Sequence, residues 1–264
     1  VHHGRGQPTD ALVLRAVDYR DADRIVTLLT ERFGKVAVLA RSARKSKKRF
    51  GGSLEPYALI EADVRLGRGE VGSIGQARVK RSFPGILADL TRIAVAGAAL
   101  ELVREALPVH QPEPEILEST VVFLERLEKC EETKEELLLA FETRVLSTLG
   151  FAPNLDTCAR CGRRAEEGRA ALFDPIVGSI VCRSCGGAKI HLCGTTRARL
   201  GAASRRAWFE AADAPWEDVV RAEARRAVLG LAEHSLGKPL KASRALAQIR
   251  EIPAGNGADP ERTS

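Results

Sequence analysis

A chain of 264 residues with 44% apolar residues and a mean hydropathy of −0.14 describes a soluble globular protein with room for two ordinary domains. No apolar run approaches the length needed to cross a bilayer, which excludes a membrane-spanning helix. The net charge of +6 is unevenly spread: residues 1–82 hold 17 Lys and Arg against 9 Asp and Glu, the remainder 24 against 26. A basic first third joined to a near-neutral remainder points to a polyanion at one end and protein contacts at the other. A solvated surface is the alternative.

Residues 9–82 read as β structure. Short runs rich in Val, Leu and Ile at 11–17, 25–29 and 36–40 are separated by turns at 21–23 and 31–34. Two further runs, 57–66 and 71–80, meet at Gly67-Arg68-Gly69, a hairpin signal. Five short strands without a long helix predict a small closed barrel of the OB type, with an SH3-like barrel as competitor. Helical spacing takes over from Pro84. One helix is predicted over 86–107, with Leu87, Leu90, Ala94, Ala98 and Val103 on its core stripe and Pro108 as its stop. A second runs from 112 to 127. A third covers 133–149, where Leu137, Phe141, Val145 and Leu149 recur every four residues and Gly150 ends the run. Two more helices are predicted at 195–212 and 216–236, the latter ended by Gly237 and Pro239. From Pro253 the chain is Gly, Pro and polar residues, the composition of a disordered tail.

Between the third and fourth helices lie two identical pairs, Cys158-Ala159-Arg160-Cys161 and Cys182-Arg183-Ser184-Cys185, separated by 20 residues. C-x2-C-x20-C-x2-C suits one tetrahedral Zn²⁺ held by four thiolates, with Phe173-Asp174-Pro175 and Gly178 punctuating a hairpin between the knuckles. Ordinary thiols or two disulfides are the other readings. The opening Val1-His2-His3-Gly4-Arg5-Gly6 lacks a hydrophobic targeting segment. Without export, a reducing cytosol would leave Cys130 and Cys193 as thiols and favour metal at the paired four. Four cysteine ligands leave no open position, so the metal would be a structural brace and not catalytic. His191 and Cys193 lie near enough to compete as ligands. Arg160, Arg163 and Arg164 would offset the thiolate charge, the alternative being contact with phosphate.

The densest basic segment is residues 41–49, where Arg41, Arg44, Lys45, Lys47, Lys48 and Arg49 are cationic. Between two barrel strands it should be an exposed loop suited to phosphate contacts, with Ser42 and Ser46 as small donors. Phe33, Phe50, Tyr57 and Tyr19 are the barrel-side aromatics that could stack bases, and most of them also suit a core. There is no P-loop and no nucleophile elbow, and the five histidines form no ligand-spaced pair beyond His2 and His3. No catalytic residue is predicted.

Several stretches carry a family likeness. They are 41–57, including Arg49-Phe50-Gly51-Gly52-Ser53-Leu54-Glu55-Pro56-Tyr57; Leu149-Gly150-Phe151-Ala152-Pro153-Asn154-Leu155 leading into Cys158 to Gly162; and His234 through Arg244. In their order and flanking residues they resemble the RecO family of bacterial DNA repair and recombination proteins over nearly the whole chain. The resemblance implies an α+β architecture: an OB-type barrel over 1–82 that binds nucleic acid, an all-helical domain over 83–252 with an inserted zinc module at 154–190, and a tail at 253–264. It implies a non-enzymatic mediator of the RecF pathway that binds single- and double-stranded DNA and anneals complementary strands. With RecR, such a protein helps load RecA onto DNA coated by the single-strand-binding protein SSB, whose acidic C-terminal tail it contacts. RecF would be an indirect partner, and the location cytoplasmic and nucleoid-associated. Carried over, Cys158, Cys161, Cys182 and Cys185 become structural Zn²⁺ ligands and Arg41 to Arg49 part of the DNA surface. Arg205, Arg206, Arg225 and Arg226 mark a candidate region for the tail. A zinc-ribbon transcription or translation factor acting on RNA, and a zinc enzyme acting on nucleic acid, are the alternatives.

Overall fold

In a computed structural model that describes residues 6–251 except 68 and 133, the chain begins with five strands. These are β1 (Gln7–Tyr19), β2 (Asp23–Thr30), β3 (Gly34–Ala40), β4 (Leu59–Arg65) and β5 (Val71–Arg81), with a one-turn helix α1 (Lys47–Phe50) between β3 and β4. They close in the order β1-β2-β3-β5-β4. β3 and β5 pair in parallel from Ala37↔Val71 to Leu39↔Ser73, and the other pairs are antiparallel. Closure removes the unpaired edges that an open five-stranded sheet would present. Strict alternation in β3 turns Val36, Val38 and Ala40 inward, where they meet Val13, Val26, Leu28, Ile60 and Val64. β1 departs from alternation because both of its faces are covered. Ala11 and Val13 fill the barrel, Leu12 and Leu14 join the helical core, and a bulge between Val13 and Arg15 adjusts the register beyond them.

The helical part follows as α2 (Pro84–Leu87), α3 (Leu90–Ala106), α4 (Pro114–Lys129) and α5 (Glu135–Thr148). The helix predicted over 86–107 is therefore two helices. Asp89 adopts an extended backbone and accepts the Arg92 N–H at 2.8 Å, so it caps a new helix instead of continuing the old one. That restart changes the phase: Leu87 and Leu90 are 56% and 85% exposed and Ala94 is exposed, whereas Ala98 and Val103 are buried. From Val95 to Val103 α3 is apolar on nearly every side and runs through the middle of the core.

The cysteine region is a four-stranded sheet, order β6-β8-β7-β9, built from β6 (Asn154–Cys158), β7 (Ala171–Asp174), β8 (Ser179–Ile180) and β9 (Ile190–Leu192). The hairpin predicted between the knuckles is β7–β8, its turn fixed by Asp174 accepting the Ile176 N–H at 2.9 Å. Phe173, Ile180 and Leu192 carry the sheet into the helical core. The chain closes with α6 (Gly194–Ala203), α7 (Glu210–Asp213), α8 (Asp218–Leu236) and α9 (Lys241–Glu251). The helix predicted at 195–212 is broken at 204–209. There Trp208 is driven into the core against Phe141, ring centres 5.7 Å apart. Helix α9 was not predicted, and the tail expected at 253–264 lies outside the described residues. Barrel and helices are joined tightly: Lys35 Nζ donates to Arg104 O at 2.5 Å and the His110 N–H to Lys35 O at 3.0 Å.

Candidate metal centre and nucleic-acid interface

In both cysteine pairs the carbonyl of the first cysteine is held by N–H groups that follow it. The Gly162 N–H donates to Cys158 O at 2.9 Å, and the Cys185 and Gly187 N–H groups donate to Cys182 O at 2.9 and 3.0 Å. Gly162 and Gly186, each following the second cysteine of its pair, have φ of 70° and 99°, a left-handed conformation costly for any other residue. Adjacent β6 and β8 bring the knuckles together: the Ala159 N–H bonds Ile180 O at 2.9 Å, and the Cys182 N–H reaches Cys158 Sγ at 3.3 Å. All four sulfurs lie within 4.8 Å of one another, with Cys161 and Cys182 Sγ 3.7 Å apart. A tetrahedron with metal–sulfur bonds of ~2.3 Å has edges of about 3.8 Å. The four cysteines therefore fit one thiophilic cation.

The local electrostatics agree with that fit. Backbone N–H groups of Cys182, Cys161 and Arg160 hold the Cys158 thiol down at about 6. Cys185 is pushed up to about 12 because its proton is shared with the Cys182 and Cys161 sulfurs. Several thiolates at such separations repel one another, and a cation at the centre relieves the repulsion.

His191 and Cys193 do not join this cluster. Both turn to Glu223, whose carboxylate accepts from the Thr196 hydroxyl at 2.6 Å, the Cys193 N–H at 2.7 Å and His191 Nδ1 at 2.7 Å. Burial opposes ionisation of Glu223, but these bonds outweigh it and the carboxyl lies below its ordinary range. Cys193 is the N-cap of α6, its sulfur accepting the Thr196 N–H at 3.4 Å. The sequence signal for this hub was present though faint: Glu223 is the one acid between the inward positions Val220, Ala224 and Ala227.

On the barrel, the basic segment is a turn running into α1, where Lys47 sits at the first position. Arg41, Arg44, Lys45 and Lys48 are exposed. Arg49 is half-buried and serves the fold of the segment itself. Its guanidinium donates to Arg41 O at 2.7 Å and Ser46 Oγ at 3.1 Å and lies 5.1 Å from the Phe50 ring centre. The β1–β2 turn is bonded to this segment, the Arg44 N–H to Ala22 O at 3.1 Å and the Ser42 N–H to Asp23 Oδ1 at 2.7 Å. Cations and turn thus form one surface. Among the barrel aromatics, Phe50 is buried, Phe33 packs partly into the barrel core and Tyr57 packs against the helices. Tyr19, the last residue of β1 beside that turn, is 39% exposed with the Arg20 guanidinium 5.1 Å from its ring centre. Of the arginines proposed for a tail site, Arg225 is paired with Glu135 at 2.6 Å, whereas Arg205, Arg206 and Arg226 are exposed.

A closed five-stranded barrel with a basic surface, joined to a helical body carrying a four-cysteine cluster, defines the class: a two-part barrel-and-helix protein with a candidate nucleic-acid surface on the barrel. Family comparison makes this specific. Residues 7–83 match the model of the recombination protein O N terminal region and residues 87–244 that of its C terminal region. DNA repair protein RecO of Anaeromyxobacter sp. (strain K) is 40% identical over 242 residues, 90% of this chain and 94% of the relative. The RecO proteins of Myxococcus xanthus and Geobacter sulfurreducens are 37% and 38% identical, over 91% and 67% of this chain and 96% and 72% of theirs. The chain belongs to the RecO family of DNA repair and recombination proteins, which act as mediators and not as enzymes. No helix among the described residues is long and apolar enough to cross a membrane.

Proposed function

We propose that this protein is a strand-annealing recombination mediator. It binds single- and double-stranded DNA, brings complementary strands together and, with RecR, helps load RecA onto SSB-coated DNA in the cytoplasm. The observation that carries this reading is the exposed row Arg41, Arg44, Lys45 and Lys48, on a segment containing no acid. Annealing is opposed by phosphate repulsion, and a cationic surface screens it while leaving base edges free to pair. No proton or covalent transfer is required of any side chain. The domains divide the work accordingly: residues 1–82 supply the primary nucleic-acid surface, and 83–252 the surfaces for protein partners.

Cys158, Cys161, Cys182 and Cys185 would hold one Zn²⁺, which supplies cross-linking strength to a sheet whose strand β8 has only two residues. For the acidic SSB tail, a groove of about 320 Å³ offers Val122, Trp208, Phe209 and Arg206, with Glu115 and Glu118 on its rim and Glu115 already paired with Arg144, so Arg206 is its one uncommitted cation among the described residues. Arg206 would meet a carboxylate, while Val122 and Phe209 offer apolar surface.

Neutralising Arg41, Arg44, Lys45 and Lys48 to Ala tests the core of the proposal. Arg49 is kept because it braces the segment. Four lost phosphate contacts reduce the slope of log affinity against log salt by about 3 for single strands, and annealing of SSB-coated DNA with RecR falls with it. An unaltered slope would show that DNA binds elsewhere.

A further inference from the structure

Beside the knuckles lies a cavity of about 330 Å³ whose wall includes Arg163, Arg164, Arg169 and Arg183, with Cys158 and Cys182 at one side. The arginines of the cysteine module divide into two kinds. Arg160 folds back to donate to Cys185 O, and Arg197 is buried, giving its guanidinium to the carbonyls of Leu155, Glu166 and Arg169. These two belong to the module's own structure. Arg163, Arg164 and Arg183 are exposed, and among the described residues their guanidinium groups have no hydrogen-bond or ion-pair partner. Arg169 meets Glu166 at 3.5 Å with both side chains about four-fifths exposed, a pair worth little.

Most acids of the module lie elsewhere. Asp156 and Glu167 line the neighbouring groove, whose wall Arg164 shares, and Asp174 holds the β7–β8 turn. Glu166 is the one acid on the arginine-lined wall. Four arginines line one concave surface, three of them with unengaged guanidinium groups, and the planar guanidinium fork suits bidentate donation to two oxygens of a phosphate.

We propose that this cavity is a second phosphodiester site, taking the backbone of the second nucleic-acid strand while the barrel surface holds the first. The inference rests on the annealing function proposed above and deepens it: two strands must be held on one molecule, and the two basic surfaces lie on different parts of the chain.

The test uses the full-length, metal-loaded protein with Arg163, Arg164 and Arg183 all replaced by Ala. A first unlabelled oligonucleotide is bound at saturation, and capture of a second, labelled, non-complementary one is then measured by anisotropy. Three lost charged contacts weaken second-strand capture by at least about tenfold and slow annealing alongside. First-strand affinity stays within about twofold because the barrel is a separate site. Metal content and melting temperature should match the parent. Unaltered second-strand capture overturns the proposal while leaving the annealing function standing; loss of first-strand binding at the barrel variant's level overturns it too, by showing a single site. Reduced metal content with capture retained assigns the arginines to the metal. Binding of inorganic phosphate that the triple variant loses, with capture unaltered, assigns the cavity to a free anion. Should the triple variant fail to fold, Arg183→Gln alone, read by the same capture assay, decides the matter: capture at the parent level overturns the proposal.

Discussion

Tyr19 sits where phosphate contacts alone would leave a DNA strand unread. Its ring is exposed at the end of β1, Arg20 lies over it, and the β1–β2 turn that follows is hydrogen-bonded to the basic segment. A base–aromatic stack is worth about 1–3 kcal/mol and is open only to unpaired bases. Tyr19→Ala should therefore weaken single-strand binding about fivefold to tenfold, with duplex binding and the salt slope little changed. Equal losses for single strand and duplex, measured by titration at two salt concentrations, would mean that the ring contributes shape and not stacking. The sequence placed Tyr19 among the aromatic candidates but could not separate it from Phe33, Phe50 and Tyr57. Which aromatic is left outside is decided by how β1 and β2 coil together, and that is a property of the closed barrel. The cysteine quartet was legible for the opposite reason. Its two pairs are local patterns, each knuckle built within five or six residues and closed by its own glycine.

Helix α9 shows what an element can owe to residues far away in the chain. Its first turn has no cap of its own. The Lys241 and Ala242 N–H groups donate at 3.1 and 2.7 Å to Glu101, a buried carboxylate on α3 some 140 residues earlier. Glu233 of α8 accepts the Leu240 N–H at 3.0 Å and pairs with Arg244, while Lys238 pairs with Glu105 at 2.5 Å. Periodicity could not reveal this helix, because the acids that start it belong to α3 and α8. Two acids beside it, Glu233 and Glu105, make its docking acid-sensitive. Arg244 holds Glu233 below its ordinary 4.5, and Lys238 does the same for Glu105. A carboxyl with a depressed folded pKa contributes stability that is complete above the unfolded value and is lost as pH falls through the folded one. The Leu240 amide, bonded to Glu233, should accordingly lose hydrogen-exchange protection below about pH 4.5, after correction for intrinsic rates and ahead of those in α5. Loss of protection at the same pH at Leu240 and in α5 would show global unfolding and no local release.

At the scale of the whole molecule, two bodies meet along a seam that neither announces in sequence. Gly34 has φ 65°, and a Cβ there would stand 1.9 Å from Gln111 O, so the start of β3 and the segment after α3 approach as closely as backbone allows. The barrel was legible because alternation and turn residues are short-range signals; this seam is not, since Gly34 looks like any turn glycine. The barrel has its own apolar core, whereas the cysteine sheet is made of strands of two to five residues and leans on the helices. The two should therefore answer differently to loss of metal. Cys182→Ser, or treatment with a chelator, removes the cross-link that so small a sheet needs. Exchange protection should then vanish over 154–192 and loosen where Phe173 and Leu192 enter the core, while β1–β5 stay protected. Binding of a first DNA strand should hold within about twofold, because Arg41, Arg44, Lys45 and Lys48 stand on the barrel. Second-strand capture should fall with the sheet, since the arginine-lined cavity is built on it. Collapse of first-strand binding in step with metal loss would instead make the centre part of the DNA surface. A sheet that stays protected without metal would leave the four cysteines without a structural role.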